Sequence, residues 1–156
     1  MISHRHKCIF IHIPKTAGSS VEKKLGLFEE LSWGAQDHRT IKELQPISCR
    51  TAAHLLRAPH KGFSRRRLLK ELLRPGTSNR VSRKAYSTYF KFSILRNPWS
   101  RVYSWYQNTM SDPGHGISEC DFTTFLDEHG DNWALKPQLH WITDFREALI
   151  NSDILR

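Results

Sequence analysis

Cysteine is scarce in this chain. Its 156 residues hold three, Cys8, Cys49 and Cys120, an odd number, widely separated and without a CxxC pair. That argues against a disulfide framework or a zinc knuckle and favours a reducing compartment. Long apolar runs are missing too, so no segment reads as membrane-spanning. Met1 to Lys7 is polar and histidine-rich, unlike the basic-then-apolar order of a secretory leader. There is no internal repeat and no low-complexity tract. What is present is a globular composition, with five Trp and eight Phe, suited to a single domain over 1–156 with its own core. His4, His6 and Cys8 alternate as metal ligands sometimes do. No carboxylate or second cluster joins them, and a frayed terminus entering a strand accounts for them, so no metal is expected.

Acid is nearly absent from one stretch. Arg50 to Lys84 holds eleven Lys or Arg and one acid, Glu71, a formal balance of +10 against −1 for the remainder. Within it Ser64 is a possible cap for a helix with Leu68, Leu69, Leu72 and Leu73 on one stripe and Arg65, Arg66, Lys70 and Arg74 on the other, closed by Pro75-Gly76. The stretch is expected to be a basic helical insertion at about 50–84. It is either a surface for polyanions or a solvated face with no ligand.

The stretch that organises the chain is Cys8 to Val21, CIFIHIPKTAGSSV. An apolar run, Ile9, Phe10, Ile11 and Ile13, passes through Pro14 into a turn holding Lys15, Thr16, Ala17, Gly18, Ser19 and Ser20, then into a helical pattern. Strand, loop, helix is the expected order. The first amides of a helix have no acceptor within it, so such a loop suits an anion. Gly18 permits close backbone approach, the hydroxyls of Thr16, Ser19 and Ser20 add donors, and Lys15 adds a mobile charge. It is not a Walker A loop, in which lysine follows the second glycine; here Lys15 precedes Gly18. An ordinary strand-to-helix turn is the alternative.

The following helix is expected from about Gly18 to Leu27, with Val21, Leu25 and Phe28 buried and Glu22, Lys23 and Lys24 outside. Asp37 or Thr40 is expected to cap a short helix carrying Ile41 and Leu44, which puts His38 at a loop-to-helix junction. An imidazole there is either catalytic or merely solvated. Further on, TYFKFSILRNPWSRVYSWY repeats the strand-to-helix order. Phe90, Phe92, Ile94 and Leu95 read as a buried strand, Asn97 as a cap and Pro98 as the first helical residue. Arg96 lies at the strand's carboxyl end, where ligands bind in open α/β sheets, and Ser104 about two turns into the helix. Together they offer a second anion a fork of donors and a hydroxyl; pairing of Arg96 with a carboxylate is the alternative. Beyond Tyr106, Asp121 to His129 reads as an amphipathic helix burying Phe122, Phe125 and Leu126, KPQLHWITD as a turn into an apolar patch, and ALINSDIL as helix-like.

Taken together, IPKTAGSS and RNPWSRVYSWY resemble the 5′-phosphosulfate and 3′-phosphate elements of the sulfotransferases that use 3′-phosphoadenosine 5′-phosphosulfate (PAPS). The closer likeness is to the carbohydrate, family 2-like branch, whose members carry an HxTxxEL-like stretch between the two loops; His38, Thr40, Glu43 and Leu44 match it. YFKFSILRNPW and KPQLHWITD are also similar to that branch. The resemblance covers most of the chain. It implies an α/β, P-loop-NTPase-like three-layer fold, with a central, mostly parallel sheet flanked by helices. It also implies PAPS as co-substrate, bound by Lys15, Thr16, Ala17, Gly18, Ser19, Ser20, Arg96 and Ser104, with Lys15 and His38 catalytic.

Family members continue into an RFE-like strand, a helix and a further cofactor-contacting segment. Phe145-Arg146-Glu147 is a compressed echo of this, so the chain reads as truncated at its C-terminal side. The implied reaction is one-step transfer of a sulfuryl group to a hydroxyl of a carbohydrate or similar acceptor, acidic in character, without metal or nucleic acid. Lys15 neutralises the leaving phosphate and His38 takes the hydroxyl proton. A non-catalytic polyanion- or nucleotide-binding member is the alternative function. A cytoplasmic protein is the first expectation for location, with a lumenal fragment of a Golgi-type enzyme the alternative.

Overall fold

In the computed structural model, residues 1–25, 38–46, 81–112 and 117–144 and positions 53, 149, 154 and 155 are described. Four strands form one mixed sheet in the order β1 (Ile2–Ser3), β2 (Cys8–Ile11), β3 (Phe90–Ile94), β4 (Ile154–Leu155). β1 runs antiparallel to β2, pairing Ile2 with Ile9. β2 and β3 are parallel, with Cys8 opposite Phe90 and Ile11 opposite Ser93. β4 is parallel to β3, with Ser93 opposite Ile154. The mixed α/β expectation therefore holds among the described residues.

β2 is buried on both faces, as the uninterrupted apolar run predicts for a parallel strand. Ile9, Ile11 and Ile13 point to one side, where they meet Ile41 and Leu44 of α2 (Ile41–Leu44), Val81, Ala85 of α3 (Arg83–Thr88), and Trp141 and Ile142 of α6 (Leu139–Ile142). Phe10 and His12 point to the other, where Phe10 packs on Phe92 with ring centroids 5.0 Å apart. Each fully buried isoleucine is worth about 1.5–3 kcal/mol of transfer free energy, so this strand anchors the fold. It also fixes where the following loop emerges.

The remaining helices are α1 (Gly18–Lys24), α4 (Pro98–Ser111) and α5 (Phe122–His129). Each of the latter two has a side-chain cap. Asn97 accepts from the amides of Trp99 and Ser100, and Asp121 accepts from those of Thr123 and Thr124. Those amide bonds, with the Thr124 hydroxyl, hold the Asp121 carboxyl below the usual carboxylate range. At α2 the cap is Thr40: the Glu43 carboxylate reaches back to accept from its N–H at 2.7 Å and its hydroxyl at 3.0 Å.

Several expectations are corrected. Glu22, expected in solvent, is fully buried, while Val21 and Leu25 are half-buried and α1 stops at Lys24. Gly18 and Glu22 lie one turn apart on the inward stripe of α1, which is rotated because it faces an imidazole instead of an apolar wall. Phe90, expected in the core, is 50% exposed; it opens β3 at the margin of the sheet, and the buried residue of that strand is Ser93, whose hydroxyl donates to the Ile11 carbonyl at 2.8 Å. Phe125 is buried as expected, whereas Phe122 and Leu126 are half-buried. Ile154–Leu155, read as helix-like, is strand, because its backbone pairs with β3. The proposed helix after Ser64, Phe28, Asp37, His54 and Phe145-Arg146-Glu147 lie outside the described residues.

Candidate active site

The loop after β2 reaches α1 through two non-glycine residues with left-handed backbone, Lys15 and Ala17, both at φ 64°. Such geometry costs of order 1 kcal/mol or more per residue and persists where surrounding bonds over-determine it. Three do so here. The Thr16 hydroxyl donates to the Ile13 carbonyl at 2.8 Å, the Ser20 amide to the Ala17 carbonyl at 3.1 Å, and the Arg101 Nε to the Pro14 carbonyl at 3.0 Å. These bonds fix the loop in one shape.

Lys15 is tethered instead of mobile: its Nζ donates to Asn108 Oδ1, on α4, at 2.9 Å. Burial, and secondarily the charge of Arg96, lower its pKa below that of an ordinary lysine. Arg96 closes the link from the other loop, its Nη1 donating to the Lys15 carbonyl at 3.2 Å. Its backbone is gripped by the Gln138 carboxamide, which accepts from the Arg96 N–H at 2.9 Å and donates to its carbonyl at 2.7 Å. Among the described residues Arg96 pairs with no carboxylate, which removes that alternative there.

Arg101, one turn further along α4, is 3% exposed. Besides Pro14, its guanidinium donates to the Lys136 carbonyl at 3.0 Å and to the Ala134 carbonyl. One cation thus binds the first loop to the 3-10 turn Trp133–Leu135. Burial lowers its pKa, and carbonyl dipoles are its compensation.

Behind the loop lies a pair that local pattern did not disclose. His12, 2% exposed, faces Glu22, fully buried, with Nδ1 and Oε1 2.5 Å apart. The His12 ring also lies 4.2 Å, centroid to centroid, from that of His38, whose Nδ1 is 3.2 Å from the His12 carbonyl. On its other side His38 meets Trp133 at 5.6 Å. Gly18 makes room for this: a Cβ there would lie 2.0 Å from a His12 ring carbon and 2.2 Å from Nε2. Gly18→Ala is therefore expected to destabilise the fold by about 1–3 kcal/mol through overpacking. In a His12→Ala background the same change should cost much less, and urea unfolding of the four proteins in that cycle checks it; additive losses would mean that the ring is not what excludes the methyl.

These elements enclose a cleft of about 560 Å³. Lys15, Ala17, Gly18, Ser19, Ser20, His38, Arg96 and Ser104 all line it, with His12, Asn108 and Trp133. Eight of the nine residues expected from sequence thus meet at one place. Thr16 departs: it is 1% exposed, with its hydroxyl turned inward to Ile13, so it braces the loop and does not offer that hydroxyl to an anion. The described wall carries two cations, two imidazoles and several hydroxyls, and no carboxylate, which is the chemistry of an anion receptor. Sequence reasoning overlooked His12, Glu22, Asn108, Arg101, Gln138 and Trp133 as site residues. The one usable signal was the spacing of Asn108 four residues after Ser104, which puts both on one face of α4. Among the described residues no three His, Cys, Asp or Glu side chains are grouped to hold a metal ion, and no helix is long and apolar enough to cross a membrane.

The family model described as Sulfotransferase family matches residues 1–142. Neither a curated protein nor a solved structure matches the chain significantly.

Proposed function

The chain belongs to the sulfotransferase family, and from that premise we propose that it transfers the sulfuryl group of PAPS to a hydroxyl of a carbohydrate acceptor. The observation that carries this is the convergence of two donor loops on one cleft, joined by the bond from Arg96 Nη1 to the Lys15 carbonyl. A nucleotide with phosphates at both ends of its ribose needs two separate donor clusters at a fixed distance. Lys15 with the Gly18–Ser20 segment suits the 5′ side, and Arg96 with Ser104 the 3′ side. The strand–loop–helix order of β2 and α1 beside parallel β3 is consistent with a P-loop-NTPase-like three-layer arrangement, which belongs to the proposal.

In the reaction, the acceptor oxygen forms a bond to sulfur as the bond from sulfur to the bridging oxygen of the 5′-phosphate breaks. Charge accumulates on that phosphate, and Lys15, held by Asn108, is the cation placed beside it. The acceptor proton passes to His38. Since a carbonyl only accepts, the His38 Nδ1 that faces the His12 carbonyl carries the hydrogen, and the lone pair of the neutral ring is on Nε2. The +10 segment from Arg50 to Lys84 favours an acidic glycan as acceptor. The free thiols of Cys8 and Cys120 agree with a cytoplasmic placement, which we include in the proposal.

Calorimetric titration with 3′-phosphoadenosine 5′-phosphate, AMP and ADP tests the donor without knowledge of the acceptor. The first should bind at least tenfold more tightly than AMP, because each charge-assisted hydrogen bond that AMP cannot make is worth about 1.5–3 kcal/mol. Arg96→Ala should erase most of that preference, whereas Lys15→Ala should weaken both ligands. Equal affinity for all three nucleotides would remove the 3′-phosphate site. A non-catalytic member would pass this test and fail the turnover test below.

A further inference from the structure

Glu22 and His12 are ionisable groups sealed from water at 0% and 2% exposure. Glu22 Oε1 has its partner in His12 Nδ1 at 2.5 Å, while Oε2 has none among the described residues. Burying a carboxyl with one oxygen unmatched is costly, and an apolar pair of similar volume fills such a space at less expense. Packing alone does not call for these two residues. Their position does: the same His12 that holds Glu22 presents its carbonyl to His38 Nδ1 at 3.2 Å and its ring to the His38 ring at 4.2 Å.

We propose that the buried Glu22–His12 pair is a positioning device for His38, raising its proton affinity from behind while the His12 backbone carbonyl fixes its tautomer. A carboxylate accepts only, so the hydrogen of this bond sits on His12 Nδ1 and the ring cannot swing without breaking it. Gly18 packs against the opposite ring edge and blocks the other rotation. The His12 ring is thereby held against the His38 ring, and the His12 backbone carbonyl draws the His38 hydrogen onto Nδ1. Among the described residues, the charged or titratable groups around the cleft that His38 lines include His12 and Lys15 from β2 and its loop, Glu22 behind them on α1, Arg96 from the second loop, and Arg39 next to His38 in the chain; Trp133 from the 3-10 turn is neutral. Cations on the cleft side disfavour a second proton on the His38 ring. The negative charge of Glu22 acts in the opposite sense, so that His38 can take up the acceptor proton. Neither residue of the pair touches substrate in this scheme.

The inference rests on His38 as the proton acceptor, but its test does not need turnover. Nitrogen-15 and carbon-13 NMR of the imidazoles in the intact protein should show neutral His38 as the Nδ1–H tautomer in the wild type. E22Q, which keeps shape and an accepting oxygen but removes charge, should lower the His38 pKa by about half a unit or more. In acceptor assays it should lower kcat with 3′-phosphoadenosine 5′-phosphate affinity unchanged, and move the acid limb of the pH profile to lower pH. A His38 pKa unmoved in E22Q overturns the proposal. So does an Nε2–H tautomer in the wild type, a measurement that stands even if E22Q fails to fold. Normal turnover of a His38→Ala variant would instead remove the catalytic reading and leave the NMR result to decide this one.

Discussion

His38→Ala is expected to lower turnover by a factor of about 10² to 10⁴, the usual cost of losing a general base, while affinity for 3′-phosphoadenosine 5′-phosphate stays within about twofold. The separation follows from geometry. Lys15 is fixed by Asn108 and Arg96 by Gln138, so neither cation depends on the His38 side chain. His38 instead leans on the rings of His12 and Trp133. Pre-steady-state transfer from radiolabelled PAPS, paired with calorimetry, measures both quantities in one preparation. A variant with normal transfer would place the base elsewhere, with His54 or a nearby carboxylate the next candidates. A variant that also loses nucleotide would make His38 part of the binding wall.

Arg101→Met is expected to cost about 3 kcal/mol or more of stability, and Arg101→Lys only partly less. Three backbone carbonyls, those of Pro14, Ala134 and Lys136, share this one guanidinium. Each buried acceptor left without a donor costs about 1–3 kcal/mol, and the losses are not strictly additive. Methionine preserves the packed stem but none of the donors. Lysine keeps the charge but presents a point where a planar fork is needed, so it reaches one carbonyl at a time. Urea unfolding at constant slope gives the difference from the midpoint alone. A loss under about 1 kcal/mol for Met would mean that water replaces the guanidinium and that the two loops are joined by other bonds.

How much was legible in the chain follows from the range of each interaction. Strand–loop–helix at Cys8 and again at Phe90, the Asn97 cap with Pro98 behind it, and Thr40, one of two caps offered for its helix, are all set within a few residues, and pattern reading finds them. The convergence of Lys15, Gly18, Arg96 and Ser104 was likewise accessible, because two parallel strands placed side by side bring their following loops together, whereas His38 was tied to them only through the family resemblance. Glu22 was misplaced because a glutamate beside two lysines reads as solvent-facing, and only the buried His12 across α1 reverses that. The Thr16 hydroxyl was misread because a hydroxyl in an anion loop looks like a ligand; the left-handed turns on either side of it aim the side chain inward. Arg101 and Gln138 carry no local mark, since what they hold is far away in sequence, and Asn108 carries only its spacing from Ser104.

That distance has a consequence for the order of events during synthesis. The contacts that shape the cleft close loops of 93 residues from Lys15 to Asn108, 87 from Pro14 to Arg101 and 42 from Arg96 to Gln138. Loop closure of this length must be met before the contacts repay it, so the cleft belongs to the late part of the folding reaction. The phosphate-type loop is synthesised before Arg101, Asn108 and Gln138, and it has no cation network until the chain has been extended past Gln138. Through that interval nothing holds Lys15 and Arg96 to a common geometry, and the nascent chain has little means of retaining a nucleotide.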